Sequence, residues 1–158
     1  MGFFVPALKL PFAPRKAPEA PMTSSFRTTR RVEFCDTDAA GIAHFGSYFD
    51  FMEQAEHEFL RSRDLSVFMN DDTGIISWPR VAAKCEFQSA ARFEDILEIE
   101  VSIARLGEKS ITYAFRFRLE ETDVASGEIT SVCCRMTDQA PPEPIAIPQW
   151  FREKLGAQ

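Results

Sequence analysis

Histidine is nearly absent from the sequence: 158 residues hold two, His44 and His57. The four cysteines, Cys35, Cys85, Cys133 and Cys134, form no C-x-x-C pair. A zinc centre needs several such ligands at set spacings, so no metal site is expected. A chain of this length buries enough surface to fold without a staple. The cysteines therefore read as free thiols in a reducing compartment, which points to the cytoplasm. Basic residues are in deficit, 18 Lys and Arg against 24 Asp and Glu, for a net charge of −6. An acidic chain has no overall pull toward nucleic acid. No apolar run approaches the ~18 residues of a membrane span. Tyrosine and tryptophan number two each against 15 phenylalanines, which implies a bulky apolar core with few hydroxyl handles.

What is present divides into two parts. Residues 1–22 carry Pro6, Pro11, Pro14, Pro18 and Pro21, half of all the prolines. Each removes an amide donor and blocks a helix, so the stretch reads as an extended or disordered tail. Its apolar residues come first and are broken by proline, unlike a signal peptide. Met22 offers a second translation start. Residues 23–158 read as one domain.

In that domain Phe26 to Phe34 alternates in the manner of a strand. From Phe45 the period changes. Phe45, Tyr48, Phe49, Met52, Ala55, Phe59 and Leu60 follow helical spacing, which predicts a helix of about five turns to Arg63. Leu65–Ile76 reads as a loop. Alternation then predicts strands at 81–89, 97–104, 111–119 and 128–137, with turns at 106–109 and 123–127. Pro148 opens a short helix over 149–155. A strand, a helix and then four strands make an α+β fold: an antiparallel sheet of about five strands on one long central helix. Unpaired sheet edges favour dimerisation.

The segment Asp36-Thr37-Asp38-Ala39-Ala40-Gly41-Ile42-Ala43-His44-Phe45 joins a strand end to the helix head. Helix-head amides lack helical partners, and the helix dipole adds roughly +0.5 charge there. A carboxylate beside such donors is a minimal hydrolytic site. The same aspartates also suit plain capping.

This pattern, Asp-x-Asp-x-x-Gly-Ile followed by an aromatic-rich helix, resembles the 4-hydroxybenzoyl-CoA thioesterase group of hotdog-fold acyl-CoA thioesterases. The resemblance runs from about Arg27 to Leu155. It implies hydrolysis of an acyl-CoA thioester, with Asp38 as nucleophile or general base. It places the carbonyl-polarising N–H at Phe45 and substrate-binding residues at Gly41, His44 and Tyr48. Relatives often carry Tyr or His at the Phe45 position, so here only the backbone serves. Lys109 matches a basic residue near the coenzyme A phosphates and Arg105 is its neighbour, while Gly107 replaces another basic position. No cofactor is implied, because coenzyme A is part of the substrate. A homodimer or homotetramer is implied, with no nucleic-acid or membrane partner. Two other readings keep the fold: a hydratase or dehydratase pairing His44 with Asp38 or Glu53, and a non-catalytic binder of acyl-CoA or acyl-carrier protein.

Overall fold

Alternation between half-buried and exposed residues makes a strand of β1 (Phe26–Arg31), the first element of a computed structural model that describes residues 25–137 and 140–156. The proline-rich stretch 1–22 lies outside the described residues. The strand stops at Arg31, short of the expected Phe34. There Glu33 and Asp36 cap each other across a 3-10 turn, Phe34–Asp36, and turn the chain out of the sheet.

Helix α1 (Ser47–Arg61) has 15 residues, about four turns. It is shorter at both ends than the long central helix expected. At its head, Phe45 and Gly46 form a separate turn. Past its tail, Asp64 takes a positive φ of 53°, which ends the helix. Its buried face is Tyr48, Phe51, Met52, Ala55, Glu56, Phe59 and Leu60. Phe45, expected on that face, is instead 63% exposed.

The expected loop at 65–76 is a hairpin, β2 (Phe68–Asp71) and β3 (Gly74–Ser77). Asp71 accepts from the amide and hydroxyl of Thr73 to close the turn. Arg135 then grips the same carboxylate from 64 residues away, a contact that local pattern does not reveal. Next come β4 (Arg80–Phe87), β5 (Ile96–Leu106), β6 (Ser110–Leu119) and β7 (Thr122–Val132). The turn expected at 123–127 lies earlier, around Glu120, which takes the positive φ, 53°, that a tight reversal needs. Gly127 therefore sits inside β7, opposite Cys85 and Phe115. The expected strand to Thr137 breaks at Cys133, and the chain resumes as β8 (Cys134–Arg135) and β9 (Glu143–Pro144). Helix α2 (Gln149–Lys154) follows Pro148 as read.

The strand order β1-β5-β6-β7-β4 is wholly antiparallel, with β1 and β4 as the two edges. Both edges meet the same helix: Arg30 of β1 pairs with Glu58, and Arg80 of β4 pairs with Glu56. A sheet whose two edges touch one helix has to curl around it. Inside the curl, Leu97, Ile99, Val101 and Ile103 face Ile111, Tyr113, Phe115 and Phe117, all buried. The outer face is solvated and ion-paired, as with Arg27 to Glu98 and Glu100, and Arg116 to Asp123. The expected buried alternation in β4 is absent. Arg80 to Lys84 are all exposed, and Val81 is 61% accessible. Among the described residues no helix is long and apolar enough to cross a membrane.

Candidate active site

The chain between Asp36 and Ser47 is irregular, yet it is braced at nearly every step. Thr37 bridges Ala43, and Ile42 bridges Arg92. The Ala43 amide donates to the Ala91 carbonyl at 2.8 Å. The Asp36 carbonyl accepts from the His44 amide at 2.7 Å and from Ser47 Oγ at 3.0 Å. Asp36 spends its carboxylate on the Glu33 amide, so the first aspartate of the motif is structural.

The second aspartate is placed differently. The Asp38 amide donates to the Ile42 carbonyl, and its own carbonyl accepts from Gly41, both at 2.9 Å. Asp38 Oδ1 accepts from the Ala40 amide at 2.8 Å, while Oδ2 has no protein partner among the described residues. The side chain is exposed, with one oxygen held and one open to solvent. Gly41 takes φ 71° with nothing within 4 Å of where a Cβ would stand. Backbone conformation, not space, demands glycine here.

At the helix head the Gly46 amide donates to His44 Nδ1 at 3.1 Å. The imidazole thus holds the amide of the N-cap residue Gly46, and the helix has no side-chain cap. Its ring lies 4.3 Å from that of Phe45. The Ser47 amide donates to the His44 carbonyl, and that of Phe49 to Gly46. No acceptor among the described residues takes the Phe45 amide. Tyr48 is core: its ring packs edge-on to Phe51, Phe87 and Phe117 at 5.2–6.1 Å. Burial first, then the nearby Cys85 and Asp95, push its hydroxyl above the ordinary value of 10.

The predicted phosphate-binding residues stand elsewhere. Ile42 and Arg92 fix the Asp38 loop beside the start of β5, whereas Arg105 lies near that strand's far end. Nine residues at ~3.3 Å each separate Ile96 from Arg105 by about 30 Å. Lys109 lies beyond, its Nζ donating to the Pro144 carbonyl at 3.2 Å. Gly107 and Glu108 present their carbonyls to Arg152 of α2, so the hairpin is clamped from behind. One copy of the chain therefore holds Asp38 and Phe45 on one braced loop and leaves Arg105 and Lys109 toward the far end of β5. Among the described residues no cluster of His, Cys, Asp and Glu fits a metal.

Sequence reasoning missed the braces Thr37, Ala91 and Arg92. Thr37 bridges Ala43 within the loop, whereas Ala91 and Arg92 meet Ala43 and Ile42 from about 50 residues along the chain, and nothing in their spacing announces them. The apolar stripe read from the sequence also left out Glu56, which the structure buries. The signal was there: Glu56 stands four after Met52 and three before Phe59, within the apolar stripe.

Comparison with known proteins bears on this geometry. A model of the thioesterase-like superfamily matches residues 32–155. The chain is 31% identical over 145 residues to 1,4-dihydroxy-2-naphthoyl-CoA hydrolase of Synechococcus sp. (strain WH7803), covering 86% of this chain and 94% of that protein. It is 30% identical over 130 residues to the acyl-CoA thioester hydrolase YbgC of Escherichia coli O157:H7, covering 80% and 92%. Among solved structures, BH1999 gentisyl-coenzyme A thioesterase superposes with a TM-score of 0.70 at 28% identity, covering 82% of this chain and 99% of that one.

Proposed function

The chain belongs to the thioesterase-like superfamily and is a thioester hydrolase; within that class we propose that it cleaves an acyl-CoA thioester to a free carboxylic acid and coenzyme A on a hotdog fold, with Asp38 as the catalytic carboxylate. The observation that carries this reading is the pairing, on one braced loop, of a carboxylate with an open oxygen and the acceptor-free amide of Phe45 at the head of α1. The substrate carbonyl oxygen takes that amide. The helix dipole adds to it, and the developing oxyanion is stabilised by about 3 kcal/mol per donor.

Two routes share this geometry. In the first, Asp38 attacks the carbonyl carbon and the C–S bond breaks. Coenzyme A leaves as its thiol with a proton from solvent, and water then hydrolyses the acyl-aspartyl anhydride. In the second, Asp38 takes a proton from a water that attacks directly. No cofactor enters either route. Gly41 holds the loop conformation, and His44 Nδ1 holds the Gly46 amide next to that of Phe45. Tyr48 packs beneath.

A carboxylate and an amide this exposed need a wall that keeps bulk water from the oxyanion. Arg105 and Lys109 also need to reach the same substrate. A second copy of the chain supplies both in this reading. The exposed edge strand β4 offers its unpaired backbone to the same strand of the partner, giving a homodimer that doubles to a tetramer where the copies stack.

The test is thioester cleavage across short, long and aromatic acyl-CoAs, followed by thioester absorbance, beside sedimentation of the intact protein. Wild type should cleave at least one of them. Asp38→Asn should lose about 100-fold or more while keeping its fold and oligomer. Equal rates in the two proteins would remove Asp38 from the chemistry.

A further inference from the structure

Val81 is the misfit of β4. It falls where the register with β7 shifts, between Arg80 opposite Ser131 and Ala82 opposite Thr130, so the ladder pairs no β7 residue with it. A bulge of this kind re-aims a side chain, and bulges gather at sheet edges and beside active sites. The side chain here is β-branched and apolar, and it is 61% exposed. Its neighbour Arg80 is already committed, to the Glu56 carboxylate and the Trp78 carbonyl.

Within one copy Val81 is remote from the catalytic loop. Six residues at ~3.3 Å each set it about 20 Å from Phe87, at the other end of the strand. It is the Phe87 end that meets the site. The Phe87 ring packs on that of Tyr48 at 5.2 Å, in the first turn of α1. Just beyond, the Ala91 carbonyl accepts from the Ala43 amide and Arg92 bridges Ile42.

A dimer through β4 brings the two ends together. Strand β7 takes one side of β4 and leaves the other open, and a two-fold axis lays the second β4 antiparallel to the first. The hairpin stops the added strand at the start of β4, because β3 leads into β4 and β2 stands on the side that β4 leaves open. Pairing most of the eight residues of β4 therefore sets the axis at Ala83, Lys84 or Cys85. Val81 of one copy then lies beside Cys85, Phe87 or Ser89 of the other, at the end that carries the catalytic loop.

We propose that Val81 of each copy stands in the wall of the other copy's Asp38 site and limits the bulk of the acyl group cleaved there. The inference rests on the thioesterase reading above and on its β4 dimer. An apolar side chain at that point keeps water from the oxyanion and offers no competing donor. A wall of one valine selects acyl groups by size alone.

Val81→Phe and Val81→Ala, compared with wild type over the acyl-CoA panel, test the assignment. Val81→Phe should lower kcat/KM for the bulkiest acyl group that wild type accepts by about tenfold or more relative to the smallest, and Val81→Ala should move that ratio the other way. Sedimentation should show the wild-type oligomer in both. If Val81→Phe separates the copies, Val81→Ala carries both arms of the test. An unchanged ratio overturns the proposal. A mixed assembly then decides which copy Val81 serves. The Val81→Phe chain, tagged, is co-expressed with an excess of Asp38→Asn chain and recovered by its tag. Each intact Asp38 is now walled by the native Val81 of its partner, so the wild-type acyl preference should return. Persistence of the altered preference puts Val81 in the site of its own copy and equally overturns the proposal. No cleavage by wild type, or full activity in Asp38→Asn, instead overturns the reading of the site itself, and this proposal falls with it.

Discussion

On its β1 flank, α1 is tied down by Glu58, which takes hydrogen bonds from Thr28 and Arg30 and pairs with Arg30 at 2.6 Å. On its β4 flank it is tied by Glu56, which takes one bond from Arg80 and leaves an oxygen empty. The residue types are the same: a glutamate of the helix and an arginine of an edge strand. The outcomes are opposite. Burial pushes the Glu58 carboxyl up, but the Thr28 and Arg30 hydrogen bonds outweigh it and hold the group below 4.5. Burial of Glu56 is deeper, its donor is shared, and the carboxyl rises to about 7. Arg30 commits one arm to Gln54 at 2.8 Å and another to Glu58, whereas Arg80 splits one nitrogen among three acceptors. The number of committed donors per buried oxygen, more than the presence of an ion pair, decides whether a charge stabilises the fold.

The hardest test of that contrast removes the cation on the buried side. Arg80→Met leaves the Glu56 carboxylate buried with no counter-charge. At pH 8 it should destabilise the protein by about 3–5 kcal/mol, measured by urea denaturation. At pH 5.5 the cost should shrink to about 1–2 kcal/mol, because a neutral Glu56 needs only a hydrogen bond. A cost independent of pH would show that Arg80 acts by packing, and the two flanks would no longer differ in kind.

How far the sequence foretold these contacts differs between flanks and ends. Alternation located β5 and β6 to within a few residues, because both are long and buried on one face only. The motif placed Asp38 and Phe45 in one local run of chain, and that run folds as one braced loop. What local pattern cannot carry is pairing over distance. Arg135 reaching Asp71, Arg80 reaching Glu56 and Ile42 bridging Arg92 each join segments set apart by the fold. Gly127 misled the reading of β7. A glycine preceded by Ser and four residues after an Asp has turn chemistry, but here it makes room for the helix. The length of β5 between Ile96 and Arg105, about 30 Å at ~3.3 Å per residue, was hidden for the same reason, because strand register becomes known only once strands are paired.

Between the two flanks the height of α1 is set by Gly127. A Cβ there would stand 2.4 Å from Met52 Sδ and 2.9 Å from the Lys84 carbonyl oxygen. Met52 is fully buried and has little room to move, and the second contact is backbone. Gly127→Ala should therefore cost about 1–3 kcal/mol from overpacking in thermal or urea unfolding. It should also lift the helix from both edges. The β4 seam, held by one divided arginine, should lose amide protection before the β1 side does. Equal loss on both sides would mean that the two ties are of similar strength.

The smallest effect belongs to the well-satisfied side. Glu58→Gln removes a charge whose two donors are retained, and its side chain is 30% exposed, so the loss at pH 7 should be no more than about 1 kcal/mol. Its sign with pH separates the two flanks. A carboxyl held below 4.5 in the fold contributes stability above that value and loses it as pH falls through the folded midpoint. Wild type should thus exceed Glu58→Gln at pH 7, and the two should converge toward pH 3. For Glu56 the order is reversed, with wild type and Glu56→Gln alike below pH 5 and the variant the more stable at pH 8. The two unfolding series, run on one protein in the same buffers, should diverge in opposite directions from a common acid limit. If the Glu58 difference instead widened toward acid, donor count would fail as the rule, and the exposure of each carboxylate would have to explain the contrast by itself.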